Sequence, residues 1–121
     1  PPEVIWRDLE RIHDHYAWSV DYSVSVTGRW AERVADEQTL LIVLGDHQPA
    51  PLITGEDASA AVPVHIISGD PALLAKFKQR GFVDGMLPPL ARPQDAPRMS
   101  QLRHWLQQDF GPSAPSPRTT P

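Results

Sequence analysis

An acid and an imidazole stand side by side at Asp46-His47, directly after Gly45 and just before Gln48-Pro49. A carboxylate oxygen and a neutral imidazole nitrogen are both donors to divalent cations, so the pair is a candidate metal half-site. Two ligands are too few to hold a catalytic ion firmly, so others must come from elsewhere. The plainer alternative is that Asp46 opens a turn and His47 is simply exposed. His65 lies among apolar residues in Val62-Pro63-Val64-His65-Ile66-Ile67-Ser68. It is either a core histidine hydrogen-bonded to a neighbour or, if its strand lies beside the Asp-His pair, an outer partner of that site. His13, Asp14 and His15 look like a metal cluster, but helix positions two apart diverge, so solvated polar positions are the favoured reading. Hydroxyls are supplied by Ser23, Ser25, Thr27, Thr39, Thr54, Ser59, Ser68 and Ser100, none of them in a G-x-S-x-G elbow. Neither a P-loop nor a G-x-G-x-x-G fingerprint is present. The chain carries part of a metal site and no evident attacking group.

The elements that position these residues follow from periodicity. Leu40-Leu41-Ile42-Val43-Leu44 runs apolar into Gly45, which suggests a strand over 39–45 buried on both faces, as in a parallel sheet flanked by helices. In open α/β sheets ligand sites gather beyond the carboxyl ends of strands, which is where Asp46 and His47 fall. Consecutive strand residues point to opposite faces, so the pair can converge only on a turn. Gly45 is expected to allow that turn by its backbone freedom, and Pro49 and Pro51 to keep a helix from starting at once. A second strand is expected over 62–68, with Pro63 at its start.

Ahead of the central strand, Ile5, Leu9, Ile12, Tyr16, Val20, Val24, Thr27, Ala31 and Val34 recur in steps of three and four and predict a helix over 6–34. Val20, Tyr22, Val24 and Val26 also alternate with polar residues as a strand would, which leaves open whether the helix runs unbroken or breaks near Trp18 or Gly28. Asp70-Pro71 opens a helix over 71–80, with Leu73, Leu74 and Phe77 as its buried stripe and Gly81 as its stop. Residues 48–61 and 82–97 read as loops. Met99, Leu102 and Leu106, with Trp105 as a further candidate, mark a last helix over 98–109, and 111–121, rich in proline and serine, reads as a disordered tail.

Bulk properties narrow the classes. The 121 residues suit one small domain, here 1–110 plus the tail, with 40% hydrophobic and 21% charged residues. A net charge of −4 without a basic run speaks against a nucleic-acid partner. The absence of cysteine excludes thiolate zinc sites, disulfides and a cysteine nucleophile. No apolar stretch reaches the length of a membrane span. Pro1-Pro2-Glu3 in place of an initiator methionine suggests a processed product or a piece of something longer.

Leu-Ile-Val-Leu-Gly-Asp-His-Gln-Pro (41–49) resembles the Asp-His metal motif of the alkaline phosphatase superfamily, which includes sulfatases and lipoteichoic acid synthases. The likeness extends to Tyr16-(x5)-Tyr22 in the preceding helix, Pro-Leu-Ile-Thr-Gly (51–55) and Val-Pro-Val-His-Ile-Ile (62–67). Gly-Phe-(x2)-Gly-Met-Leu-Pro (81–88) and Met-(x2)-Leu-Arg (99–103) complete it, so that it covers roughly 6–110. The resemblance implies an α/β fold, the C-terminal part of an α/β/α sandwich with a mostly parallel sheet. It implies that Asp46 and His47 ligate a catalytic manganese, zinc, magnesium or calcium ion, with His65 as a possible outer partner. It further implies a phosphate- or sulfate-ester hydrolase or phosphotransferase, extracytoplasmic or membrane-attached through upstream sequence. The nucleophile would lie in a missing N-terminal part of the same domain, leaving this segment inactive alone. The rival expectation is a non-catalytic α/β interaction module.

Overall fold

The computed structural model describes residues 2–87 and 95–112. The order of elements is α1 (Pro2–Val34), β1 (Leu41–Leu44), α2 (Pro51–Thr54), β2 (Val64–Ile67), α3 (Pro71–Lys78) and α4 (Met99–Phe110). The expected tail falls, from residue 113 onward, outside the described residues, as do 88–94 of the expected loop.

Helix α1 is continuous through Trp18 and Gly28, without the break that the valine alternation left open. The three-to-four residue period outweighs the short alternation at 20–26 because it spans the whole segment, with charge kept to the other side. Glu3 in the first turn and Arg33 in the last both suit the helix dipole. The helix ends in a turn built on Asp36, whose Oδ1 accepts from the Gln38 N–H (2.8 Å) and the Thr39 hydroxyl (2.7 Å). Those bonds lower the Asp36 pKa from its ordinary value of 3.8, the Thr39 hydroxyl acting most strongly.

Strands β1 and β2 form a two-stranded antiparallel sheet, with Leu41 opposite Ile67, Ile42 opposite Ile66, Val43 opposite His65 and Leu44 opposite Val64. This corrects the expected mostly parallel sheet of an α/β/α sandwich: among the described residues there is one antiparallel pair and otherwise helix. An unbroken apolar run records that a strand is apolar on both faces but not the direction of its neighbour. Direction is set by the return path, and a parallel neighbour requires a crossover, usually through a helix. Over 45–63 there is only the single-turn α2, so the chain doubles back. Leu44 is 43% exposed, and the other residues of both strands are half-buried, so neither strand is enclosed as the run suggested.

Helix α2 was not expected, since Pro49 and Pro51 were to forbid it. Pro51 stands at its first position, where a missing N–H costs no hydrogen bond. α3 follows its sequence signals closely. The Asp70 carboxylate accepts from the Ala72 N–H at 2.8 Å, and Pro71 begins the helix. At its other end Phe82 N–H donates to the Phe77 carbonyl and Gly81 N–H to that of Lys78, a Schellman closure. Gly81 takes φ +97° there, a left-handed conformation that costs glycine little.

The core is small. Phe77 is 2% exposed, meets Phe82 edge-on at 5.4 Å and stacks on Phe110 of α4 at 5.8 Å between ring centroids. Ala31 of α1 is the other buried apolar residue among those described. α3 and α4 are joined by Arg80, whose Nε and second guanidinium nitrogen reach the two oxygens of Asp109 at 2.8 and 2.9 Å. Lys76 adds a bond to the Asp109 carbonyl at 2.8 Å, and Arg80 lies over the Trp105 ring. By contrast the apolar face of α1 is open: Ile12, Tyr16, Val20 and Val24 are all more than a third exposed. Among the described residues no helix is long and apolar enough to cross a membrane.

Candidate functional site

Asp46 and His47 follow the end of β1 in a bend, and the antiparallel pairing puts the start of β2 beside that end. The Gly45 N–H donates to the Pro63 carbonyl at 3.3 Å and carries the two chains one step beyond the ladder. Gly45 spares space here and does not serve an unusual turn. Its φ is not positive, and a Cβ there would sit 3.3 Å from the Val62 Cβ.

The turn is organised by its own polar groups. Asp46 Oδ1 accepts from the His47 N–H at 2.9 Å, and Oδ2 faces His47 Nε2 at 3.5 Å. On the far side of the ring Nδ1 lies 2.8 Å from the Gln48 carbonyl oxygen. A carbonyl can only accept, so Nδ1 carries the proton. In the neutral ring Nε2 then carries the lone pair and lies 3.5 Å from a carboxylate oxygen, two acceptors with no hydrogen between them. A charge-assisted N–H···O bond would be about 2.7–2.9 Å, shorter than the separation seen. Two ligands of a tetrahedral ion bound at about 2.1 Å stand roughly 3.4 Å apart, which matches it. The donation of the remote ring nitrogen to a backbone carbonyl is also what metal-bound histidines generally show.

The donor set and spacing therefore fit a divalent cation. The residues that could hold it are Asp46 through Oδ2 and His47 through Nε2. Their side chains are 87% and 77% exposed, so the cation would face solvent on the side away from this chain. Among the described residues no third histidine or acid joins them.

His65 lies within β2. It sits opposite Val43, and its Nε2–H donates to the Met86 carbonyl at 3.0 Å, tying β2 to the loop after α3. That loop, β2 and α4 border a groove of roughly 890 Å³ walled by Val64, His65, Phe82, Met86 and Trp105. Asp46 and His47 lie outside it. His13 is exposed, as expected, yet bonded: its Nε2–H donates to the Leu52 carbonyl at 3.0 Å and pins α2 to α1.

Sequence reasoning missed Gln48. Its side-chain amide donates to the Ala61 carbonyl, bridging the two ends of the 45–63 connection, while its own carbonyl holds His47. A glutamine in a loop carries no pattern that announces this; the bond depends on where the chain returns. Comparison with protein-family models, with curated proteins and with solved structures finds no match to this chain.

Proposed function

We propose that this chain contributes an Asp46–His47 metal-ligand pair to a phosphate- or sulfate-ester hydrolase or phosphotransferase, with the nucleophile supplied from outside these 121 residues. The observation that carries the reading is the 3.5 Å approach of Asp46 Oδ2 to His47 Nε2 with Nδ1 engaged elsewhere. The motif resemblance of residues 41–49 supplies the reaction class. A bound divalent ion offers charge that polarises phosphoryl or sulfuryl oxygens and lowers the pKa of an attacking hydroxyl. The chain's own part is to hold that ion: Asp46 offsets one of its charges, and His47 adds a neutral donor whose ring orientation is fixed by a backbone carbonyl.

Manganese titrated into the chain should bind in a way that Asp46→Ala removes. In a protein containing this segment together with its nucleophile, the same change should abolish hydrolysis of an aryl phosphate or sulfate ester. Unaltered hydrolysis in that variant would discard the enzyme reading of this pair. Ester hydrolysis by the 121-residue chain alone would refute the external nucleophile. The second reading, a non-catalytic interaction module, is favoured by the open apolar face of α1 (Ile12, Tyr16, Val20, Val24). It predicts that charge placed on this face, as in Val20→Glu, abolishes partner binding while Asp46→Ala leaves it intact.

A further inference from the structure

We infer that Gln48 is the positioning residue of the Asp46–His47 pair, fixing the His47 tautomer so that Nε2 is the nitrogen offered to a cation. This rests on the reading of Asp46 and His47 as ligands and adds a role to a residue that touches no ion.

A neutral imidazole in water exchanges its proton between two nitrogens, and only the bare one can ligate. At this turn the choice is made by the Gln48 carbonyl, 2.8 Å from Nδ1. That carbonyl belongs to a peptide held by a longer arm: the Gln48 side-chain amide donates to the Ala61 carbonyl, just upstream of β2. The Ala61 peptide is anchored in turn, its N–H donating to Ser59 Oγ at 3.0 Å. A line of hydrogen bonds thus runs from Ser59 through Ala61 and Gln48 to the His47 ring, which faces Asp46. Exposure makes the arrangement necessary. With both ligand side chains mostly in solvent, no packing restrains the ring, and the hydrogen bond from Nδ1 is the restraint the turn has. Gln48 itself is half-buried, so its tether is the sheltered end of the line.

The test uses the 121-residue chain with ¹⁵N-labelled histidine, the His47 signals being assigned by their loss in His47→Asn. At mildly alkaline pH the two nitrogens of a neutral ring resonate far apart according to which bears the proton. The wild type should show His47 protonated on Nδ1. Gln48→Leu, which removes the donor to Ala61, and Gln48→Glu, which sets an acceptor against that carbonyl, should show a mixture of tautomers. Manganese binding, followed by electron paramagnetic resonance, should weaken in both variants by up to about tenfold, the lower end of the loss when a ligand's outer partner is removed, because the accepting carbonyl stays but is no longer tethered. A circular dichroism melt identifies a variant that has merely unfolded, and the wild-type tautomer alone can overturn the inference without any variant. A wild-type His47 protonated on Nε2 overturns the inference, as does Gln48→Leu with unchanged tautomer and unchanged manganese affinity. Manganese binding indifferent to Asp46→Ala, with the tautomer still dependent on Gln48, would instead overturn the ligand reading and leave the positioning role standing.

Discussion

Around Phe77 the chain is held from several directions, whereas at the Asp46–His47 turn it is held only by its own backbone and by one glutamine. Phe77 has aromatic rings on two sides, and the helix that carries it is fastened to α4 by the Arg80–Asp109 pair. The candidate ligands have solvent on most sides. Regions of the first kind set stability, and regions of the second kind are free to bind, since nothing must be displaced from them. The difference also separates two kinds of substitution, those felt by the fold and those felt only by a ligand.

The largest effect is expected at the centre of the packed region. Phe77→Ala should cost about 3–4 kcal/mol, combining the lost burial of the ring with the cavity left between Phe82 and Phe110. A fold this small could lose its cooperative urea transition altogether. Trp18→Ala is the opposing control. Trp18 is 66% exposed and, among the described residues, stacks only on Tyr22, and alanine regains helix propensity, so a change of about 0.5 kcal/mol or less is expected. Similar losses at the two sites in urea melts would dissolve the contrast.

Next come two glycines that differ in what surrounds them. A Cβ on Gly69 would lie 2.6 Å from the Asp36 carbonyl carbon and 2.8 Å from its oxygen, while the Gly69 N–H donates to that same oxygen at 2.9 Å. Backbone cannot rotate aside as a side-chain tip can. Gly69→Ala should therefore cost about 1–3 kcal/mol as the junction between α1 and the end of β2 is forced apart. Gly28 in α1 has nothing within 4 Å of the corresponding position, so Gly28→Ala should stabilise by up to about 1 kcal/mol. Thermal melts that moved in the same direction for both variants would show that α1 is more enclosed than its exposure indicates.

These pairs also show how much of the molecule was written in the sequence. α3 was legible from end to end because each signal is local: Asp70 and Pro71 at its start, Gly81 at its stop, Phe77 at stripe spacing. The position of α1 was legible for the same reason, while its continuity through Trp18 and Gly28 was not, because a short valine alternation competed with the longer period. The sandwich was not there to be read from Leu40–Leu44. An apolar run says nothing of the number or direction of neighbouring strands, and the returning 45–63 connection made the pair antiparallel. The Asp46–His47 pair was visible as residue types, but its geometry was not. What turns two adjacent side chains into a converging pair is the His47 bond to the Gln48 carbonyl, and Gln48 is held by Ala61, thirteen residues on.

Acid sharpens the comparison further. Arg80 holds the Asp109 carboxylate below its ordinary value of 3.8, chiefly through their hydrogen bonds, with charge attraction from Arg80 and Lys76 adding to it. A carboxylate depressed in the folded state contributes stability that is complete above the unfolded value and is lost as pH falls through the folded one. The urea midpoint should accordingly fall as pH drops below about 3.8, with Asp36 adding a part of the same sign. Asp109→Asn should flatten that slope without removing it, because the Asp36 contribution remains. A slope unchanged in Asp109→Asn would place the acid sensitivity outside the link between α3 and α4.

The smallest effect on the fold is expected where the effect on ligand binding is greatest. The Asp46 side chain is 87% exposed, and its protein contacts are the adjoining His47 N–H and the His47 ring. Removing it leaves no buried group unpaired and opens no cavity, so Asp46→Ala should change the urea midpoint by no more than about 0.5 kcal/mol in equivalent stability. The same substitution deletes the only charged donor of the pair and should remove manganese binding. A residue retained for the fold would show the reverse, a stability loss without a binding phenotype. A ligand held in readiness by its neighbours should instead leave the melt in place and change only its response to added metal, since an ion that binds the folded state alone raises the midpoint with concentration. Wild-type chain titrated with manganese should show that rise and Asp46→Ala should not; a rise common to both would assign the ion to some other surface.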